Sequence, residues 1–148
     1  MKKQLICGIA LTLALLAASA QAAEPLAFQG VMKVLGKHMQ TITAAIANED
    51  WVLVAQTASL IAAHPQPSVT EKARIFAYIG SNMGKFKNFD MQTHEAAHEL
   101  AHAAEEKNGL QIINAFQKLQ AGCLGCHQNF RAAFIEHFYG KEATKAEK

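Results

Sequence analysis

The sequence predicts an all-α protein, an antiparallel up-down-up-down four-helix bundle. Three observations carry that expectation. Apolar residues recur at steps of three and four, the period of one helix face. Alanine is plentiful and alternating β-branched runs, the mark of strands, are missing. The breaks between periodic stretches are short, and short connections join antiparallel neighbours.

The 148 residues suit one domain. Neither an internal repeat nor a long Gly/Ser/Pro linker divides them. Residues 1–22 have the pattern of a secretory signal: Met1-Lys2-Lys3, an uncharged apolar run from Leu5 to Ala18, and the small-x-small site Ala20-Gln21-Ala22. The apolar run is short for a membrane span, so no anchor is expected after cleavage. Removing 22 of the 148 residues leaves 126, taking away Cys7 and two of 14 basic residues against 12 acidic ones. The formal balance is then zero. A nucleic-acid partner would call for a basic excess, so none is expected.

Residues 23–140 should form the bundle. A first helix spans about Pro25 to Ala47, with Pro25 suited to a first turn and Phe28, Met32, Leu35, Met39, Ile42 and Ile46 in one stripe. A second runs from about Asp50 to Ala63, with Trp51, Val54, Leu60 and Ile61 inward, and His64-Pro65-Gln66-Pro67 stops it. Ser68-Val69-Thr70-Glu71 reads as a capping box opening a short helix, which Gly80 can end in a left-handed conformation. The third long helix covers about 82–106, with Phe86, Phe89, Thr93, Ala96, Leu100 and Ala104 inward. Asn108-Gly109 is a break. The last helix runs from Leu110 to Phe138, its inner face holding Ile112, Phe116, Leu119, Cys123, Phe130 and Phe134. Residues 141–148 form a charged tail, expected to fray.

One motif on that last helix carries chemistry. Cys123-Leu124-Gly125-Cys126-His127 is C-x-x-C-H, the pattern of c-type haem attachment. Two thiols can bond the haem covalently and the adjacent imidazole can ligate its iron. On a helix Cys123, Cys126 and His127 stand at i, i+3 and i+4, on one face. The small Gly125 lets the porphyrin edge come close to the backbone. A dithiol redox pair would want a βαβ context, which the sequence lacks, and a four-ligand structural zinc site would need further Cys or His nearby. One haem c per chain would use both remaining cysteines and replace part of the core near one end.

The motif's position near the C-terminus, Phe130-Arg131 just after it, and the segment from Gln29 to Met39 together give a chain that resembles the class II c-type cytochromes, the cytochrome c′ family. That family is itself a standard example of the four-helix bundle, so the resemblance and the architecture are not independent. It implies a periplasmic, commonly dimeric haem protein that works with redox partner proteins. One branch is five-coordinate and high-spin and binds nitric oxide. A second, low-spin branch takes a methionine of the first helix as sixth ligand and is assigned to electron transfer. The matching position here is Met32. Arg131 matches a basic residue close to the proximal imidazole, a role that stands beside propionate pairing or a plain surface salt bridge. The family's arginine ahead of the first-helix glutamine is replaced by Phe28, leaving Lys33 and Lys37 as substitutes toward the propionates.

Geometry tests Met32 separately. In an antiparallel pair His127 lies 11 residues before Phe138 and Met32 lies 7 after Pro25. At about 1.5 Å per residue these depths are roughly 17 and 11 Å from the same end, so the levels agree. Met39 lies about 10 Å further along. A methionine on an apolar stripe is ordinarily core filler, but a thioether is also a soft iron ligand. The expected function is thus single-electron transfer through a His127/Met32 iron, with gas binding at an open iron as the alternative. An enzyme such as a peroxidase would need polar acid–base groups above the iron, where the first helix offers Phe28, Met32 and Leu35. His94, His98 and His102 recur every four residues and read as a solvated polar face beside Glu95, Glu99 and Glu105, with metal binding by an adjacent pair as the rival.

Overall fold

The computed structural model describes residues 25–140. The signal-like residues 1–22, with Cys7, and the charged tail 141–148 lie outside the described residues. Helices α1 (Phe28–Ala47), α2 (Trp51–Ala62), α4 (Met83–Glu105) and α5 (Gly109–Cys126) are the four long elements, with the short α3 (Val69–Ile79) between α2 and α4 and α6 (Ala132–Tyr139) continuing α5. No strand occurs among the described residues.

The backbones of α4 and α5, α2 and α4, and α1 and α2 approach closely, whereas α1 and α5 make little backbone contact. The bundle is therefore tight on three sides and open between its first and last helices. Its closed end is built from Ile42, Ala45, Val54, Ala58, Leu100, Ala104, Ile112 and Leu119, all buried in one cluster. Small alanines let the helix axes come near, and the large aliphatic side chains fill what remains.

Two turns close that end by the same device. Glu49 and Lys107 each take a left-handed backbone, with φ of 55°. Each is followed by an N-cap: Asp50 Oδ1 accepts from the Leu53 amide at 3.0 Å, and Asn108 Oδ1 from the Gln111 amide at 3.2 Å. The break expected at Asn108-Gly109 is thus made one residue earlier. Gly109 is the first residue of α5, and Lys107 makes the reversal.

The opposite end is held by a second cluster of Leu26, Ile75, Ile79, Phe134 and Phe138. The capping box is present: the Ser68 hydroxyl accepts from Glu71 N–H at 3.2 Å and Glu71 Oε2 accepts from Ser68 N–H at 3.4 Å. The other Glu71 oxygen accepts from Ala27 N–H, tying the start of α1 to α3. Tyr139 Oη donates to the Leu26 carbonyl at 3.3 Å. The short helix α3 is thereby a floor beneath the opening.

The inward stripes agree with expectation on α1, α4 and α5, with two corrections. Leu60 is 55% exposed, because on α2 the buried face runs through Val54, Thr57, Ala58, Ile61 and Ala62, and Leu60 is out of phase with it. His94 is half-buried rather than solvated, while His98 and His102 are exposed as expected.

Candidate haem site

The opening between α1 and the last helix contains two adjoining cavities, about 260 and 150 Å³ in volume. Phe28, Met32, Phe86, Cys126 and His127 line both. The larger adds Phe130, Arg131 and Phe134, and the smaller adds Leu35, Met39, Phe89 and Cys123. The walls are mainly aromatic and aliphatic, which suits a flat apolar macrocycle whose polar edge reaches solvent. The donor set fits haem c: two free thiols and one imidazole on one helix, facing a thioether on another.

Each sequence-predicted residue can now be placed. Cys123 and Cys126 are half-buried and turned to the slot. Burial pushes the Cys126 thiol up to about 11, with the negative charges of Asp90 and Cys123 adding to it. Burial also raises Cys123, opposed by hydrogen bonds from its own backbone and from Thr93. Both sulfurs are therefore neutral thiols near pH 7. Met32, on α1, and His127, on the last helix, both line the same two cavities. Met39 lines only the smaller cavity. Lys33 and Arg131 line the larger one; Lys37 lines neither.

Gly125 has a role different from the one expected. A Cβ there would stand 2.5 Å from Phe89 Cε1, and one at Gly122 would stand 2.8 Å from Thr93 Oγ1. Both glycines face α4, so their bareness sets how closely α4 and α5 pack rather than how closely a porphyrin approaches.

The last helix also changes pitch at the motif. His127–Arg131 is a π-helical turn between α5 and α6. Such turns occur mostly as single insertions in α-helices, frequently at functional sites. The wider turn explains why Cys126, Phe130, Phe134 and Phe138 hold one side at unbroken steps of four. Asn129 secures it, donating from Nδ2 to the Gly125 carbonyl at 2.7 Å and accepting from Lys85 Nζ at 2.5 Å. Nothing in the residue pattern marked this turn.

Among the slot residues that sequence reasoning did not single out are Ile135, Tyr139, His64 and Asp90. His64 and Asp90 both line the smaller cavity. In the sequence His64 reads only as part of a helix stop, and no motif points to Asp90. The signal available is the i, i+4 pair Asp90/His94, of which only His94 belongs to the pattern that reads as a solvated face.

A protein-family model described as cytochrome C′ matches residues 27–131, from the lead-in of α1 through the π-helical turn. No curated protein matches the chain significantly.

Proposed function

The chain belongs to the cytochrome c′ family, whose members carry covalently attached haem c, and on that premise we propose that it is a periplasmic monohaem electron carrier with its iron held between His127 and Met32. The haem, when bound, supplies a one-electron ferric–ferrous couple. Cys123 and Cys126 would hold the haem through two thioether bonds, and the His127 imidazole would bind its iron. The observation that carries this reading is that Met32 and His127 line the same two cavities while standing on helices that are themselves held apart.

Met32 and His127 would together hold the iron, and a thioether joined to an imidazole would raise the reduction potential and favour a low-spin iron that rearranges little on electron transfer. Phe28, Phe86, Phe130 and Phe134 exclude water and keep the surroundings apolar, which tunes the same quantity. Arg131 and Lys33 are the cations on the cavity wall suited to propionate carboxylates. The leader-like pattern of residues 1–22 supports export to the periplasm. No described helix is long and apolar enough to cross a membrane. Val34 at 48% and Val52 at 64% exposure leave apolar surface on α1 and α2 that suits a homodimer or a redox partner protein.

The second reading keeps the covalent haem and leaves the sixth position open to nitric oxide or another small gas. The family match fits it at least as well. It is favoured by the apolar surroundings of Met32, where Phe28, Leu35 and Phe86 exclude competing anions. Absorption spectra of the oxidised and reduced holoprotein separate the two. The carrier reading expects a low-spin spectrum that turns high-spin in Met32→Ala, and slow uptake of carbon monoxide by the reduced form. A high-spin spectrum in the unmodified protein at neutral pH would transfer the assignment to gas binding.

A further inference from the structure

We propose that His64, Asp90 and His94 form a second metal site, separate from the haem ligands, that takes one divalent transition-metal ion of the zinc(II) class. The three side chains come from two helices: His64 follows the end of α2, and Asp90 and His94 stand one turn apart on α4. One potential ligand atom from each lies within 4.8 Å of the others. His94 Nε2 is 3.8 Å from Asp90 Oδ1, and the two imidazoles stack with centroids 4.7 Å apart at an interplanar angle of 25°.

The hydrogen bonding around His64 prepares it as a ligand. Its Nδ1 lies 2.9 Å from the Ile61 carbonyl oxygen. A carbonyl can only accept, so Nδ1 carries the proton and Nε2 is left with a free lone pair. That is the arrangement in metal-bound histidines, where the second nitrogen donates to a carbonyl or carboxylate and fixes the tautomer. Two imidazoles and one carboxylate are a recurrent donor set for zinc, with the fourth position left to water. Zinc–ligand bonds of about 2.0–2.2 Å in a tetrahedron put ligand atoms roughly 3.3 Å apart. The present separations close to that value by side-chain rotation, Asp90 being exposed and both rings only half-buried.

The position has a structural logic. The ion would fasten the end of α2 to the first half of α4 on the wall of the slot, where His64 and Asp90 both line the smaller cavity. The site differs from the adjacent histidine pair that spacing alone offered, sharing only His94 with it. His98 and His102 are exposed, and among the described residues neither joins a group of three metal-ligating side chains.

The test is titration of zinc into the holoprotein by isothermal calorimetry, with His64→Gln, His94→Gln and the double variant His98→Gln/His102→Gln in parallel. The site predicts one ion per chain at micromolar or tighter affinity, at least ten-fold weaker binding in each of the first two variants, and unchanged binding in the third. Nuclear magnetic resonance of the unmodified protein provides a readout free of any folding defect: one equivalent of zinc shifts the ring signals of His64 and His94 and leaves those of His98 and His102 in place. No heat at 100 micromolar zinc overturns the site, as does binding that survives His64→Gln but is lost in the double variant, or ring shifts confined to His98 and His102.

Discussion

The two ends of this bundle are built from different amino acids for different purposes. At the closed end Ala45, Ala58, Ala97, Ala101 and Ala104 bring helices together around Ile42, Leu100, Ile112 and Leu119, none of which is more than 1% exposed apart from Ala101 at 7%. At the slot end phenylalanine takes over. Of the chain's 8 phenylalanines, Phe28, Phe86, Phe89, Phe130 and Phe134 line the cavities, so most of them form the slot wall while packing on one another and on the second cluster behind it. Alanine closes distance, and phenylalanine holds a space open while keeping it dry. One chain thus supplies a self-sufficient core at one end and an unfinished one at the other.

Substitutions should separate these ends. Leu100→Ala opens a cavity where nothing else can fill it, and should cost about 2–5 kcal/mol in denaturant unfolding of the holoprotein. Leu110, at the same end but 74% exposed, is the control, and its alanine variant should stay within about 0.5 kcal/mol of the parent. Gly125→Ala drives a methyl group against the Phe89 ring and should cost about 1–3 kcal/mol by overpacking. Adding Phe89→Ala removes the clash, so the double variant should be less destabilised than the sum of the single changes.

The two thiols provide a test specific to the slot end. Before attachment, the folded chain holds Cys126 protonated to about pH 11, against 9.0 for the free group. Below pH 9 both folded and unfolded states keep the proton, and the group has no effect on stability. Between 9 and 11 the unfolded state loses its proton first and therefore binds fewer, so stability should fall with rising pH in that window. Thiol alkylation followed against pH should give the raised midpoint, and Asp90→Asn should lower it by removing a repelling charge. The smallest effect belongs to the closed end. Lys107→Gly relieves a left-handed backbone at φ 55° and should stabilise by about 0.5–1 kcal/mol, the difference between the left-handed penalty and glycine's entropy cost. A loss of stability there would mean that the lysine side chain contributes more than its backbone costs.

The legible part of the structure follows the same division. The closed end could be read because its signal is repetition: Ile42, Leu100, Ile112 and Leu119 fall on stripes that only a helix produces. The capping box at Ser68 and Glu71 was readable because it is local chemistry over four residues. The motif CLGCH pointed to two thiols and an imidazole, and a count of helical rise to Met32, and all four line the slot. What escaped depended on neighbours distant in sequence. Leu60 looked inward because α2 is apolar nearly all round, and only its neighbours α1 and α4 decide which side is covered. Gly125 faces Phe89, some 36 positions earlier in the chain, and no local pattern shows that. The π-helical turn at His127–Arg131 leaves steps of four that an ordinary helix also tolerates. His64 and His94 meet only because α2 and α4 run antiparallel with their appropriate ends together.

The central claim is that the slot holds a haem bonded to Cys123 and Cys126, and the most direct measurement is the intact mass of the protein purified after export, taken under denaturing acid conditions. The account predicts a single species equal to the processed chain plus one haem, with neither thiol open to alkylation. A colourless protein at the bare chain mass, with both thiols reacting, would contradict it.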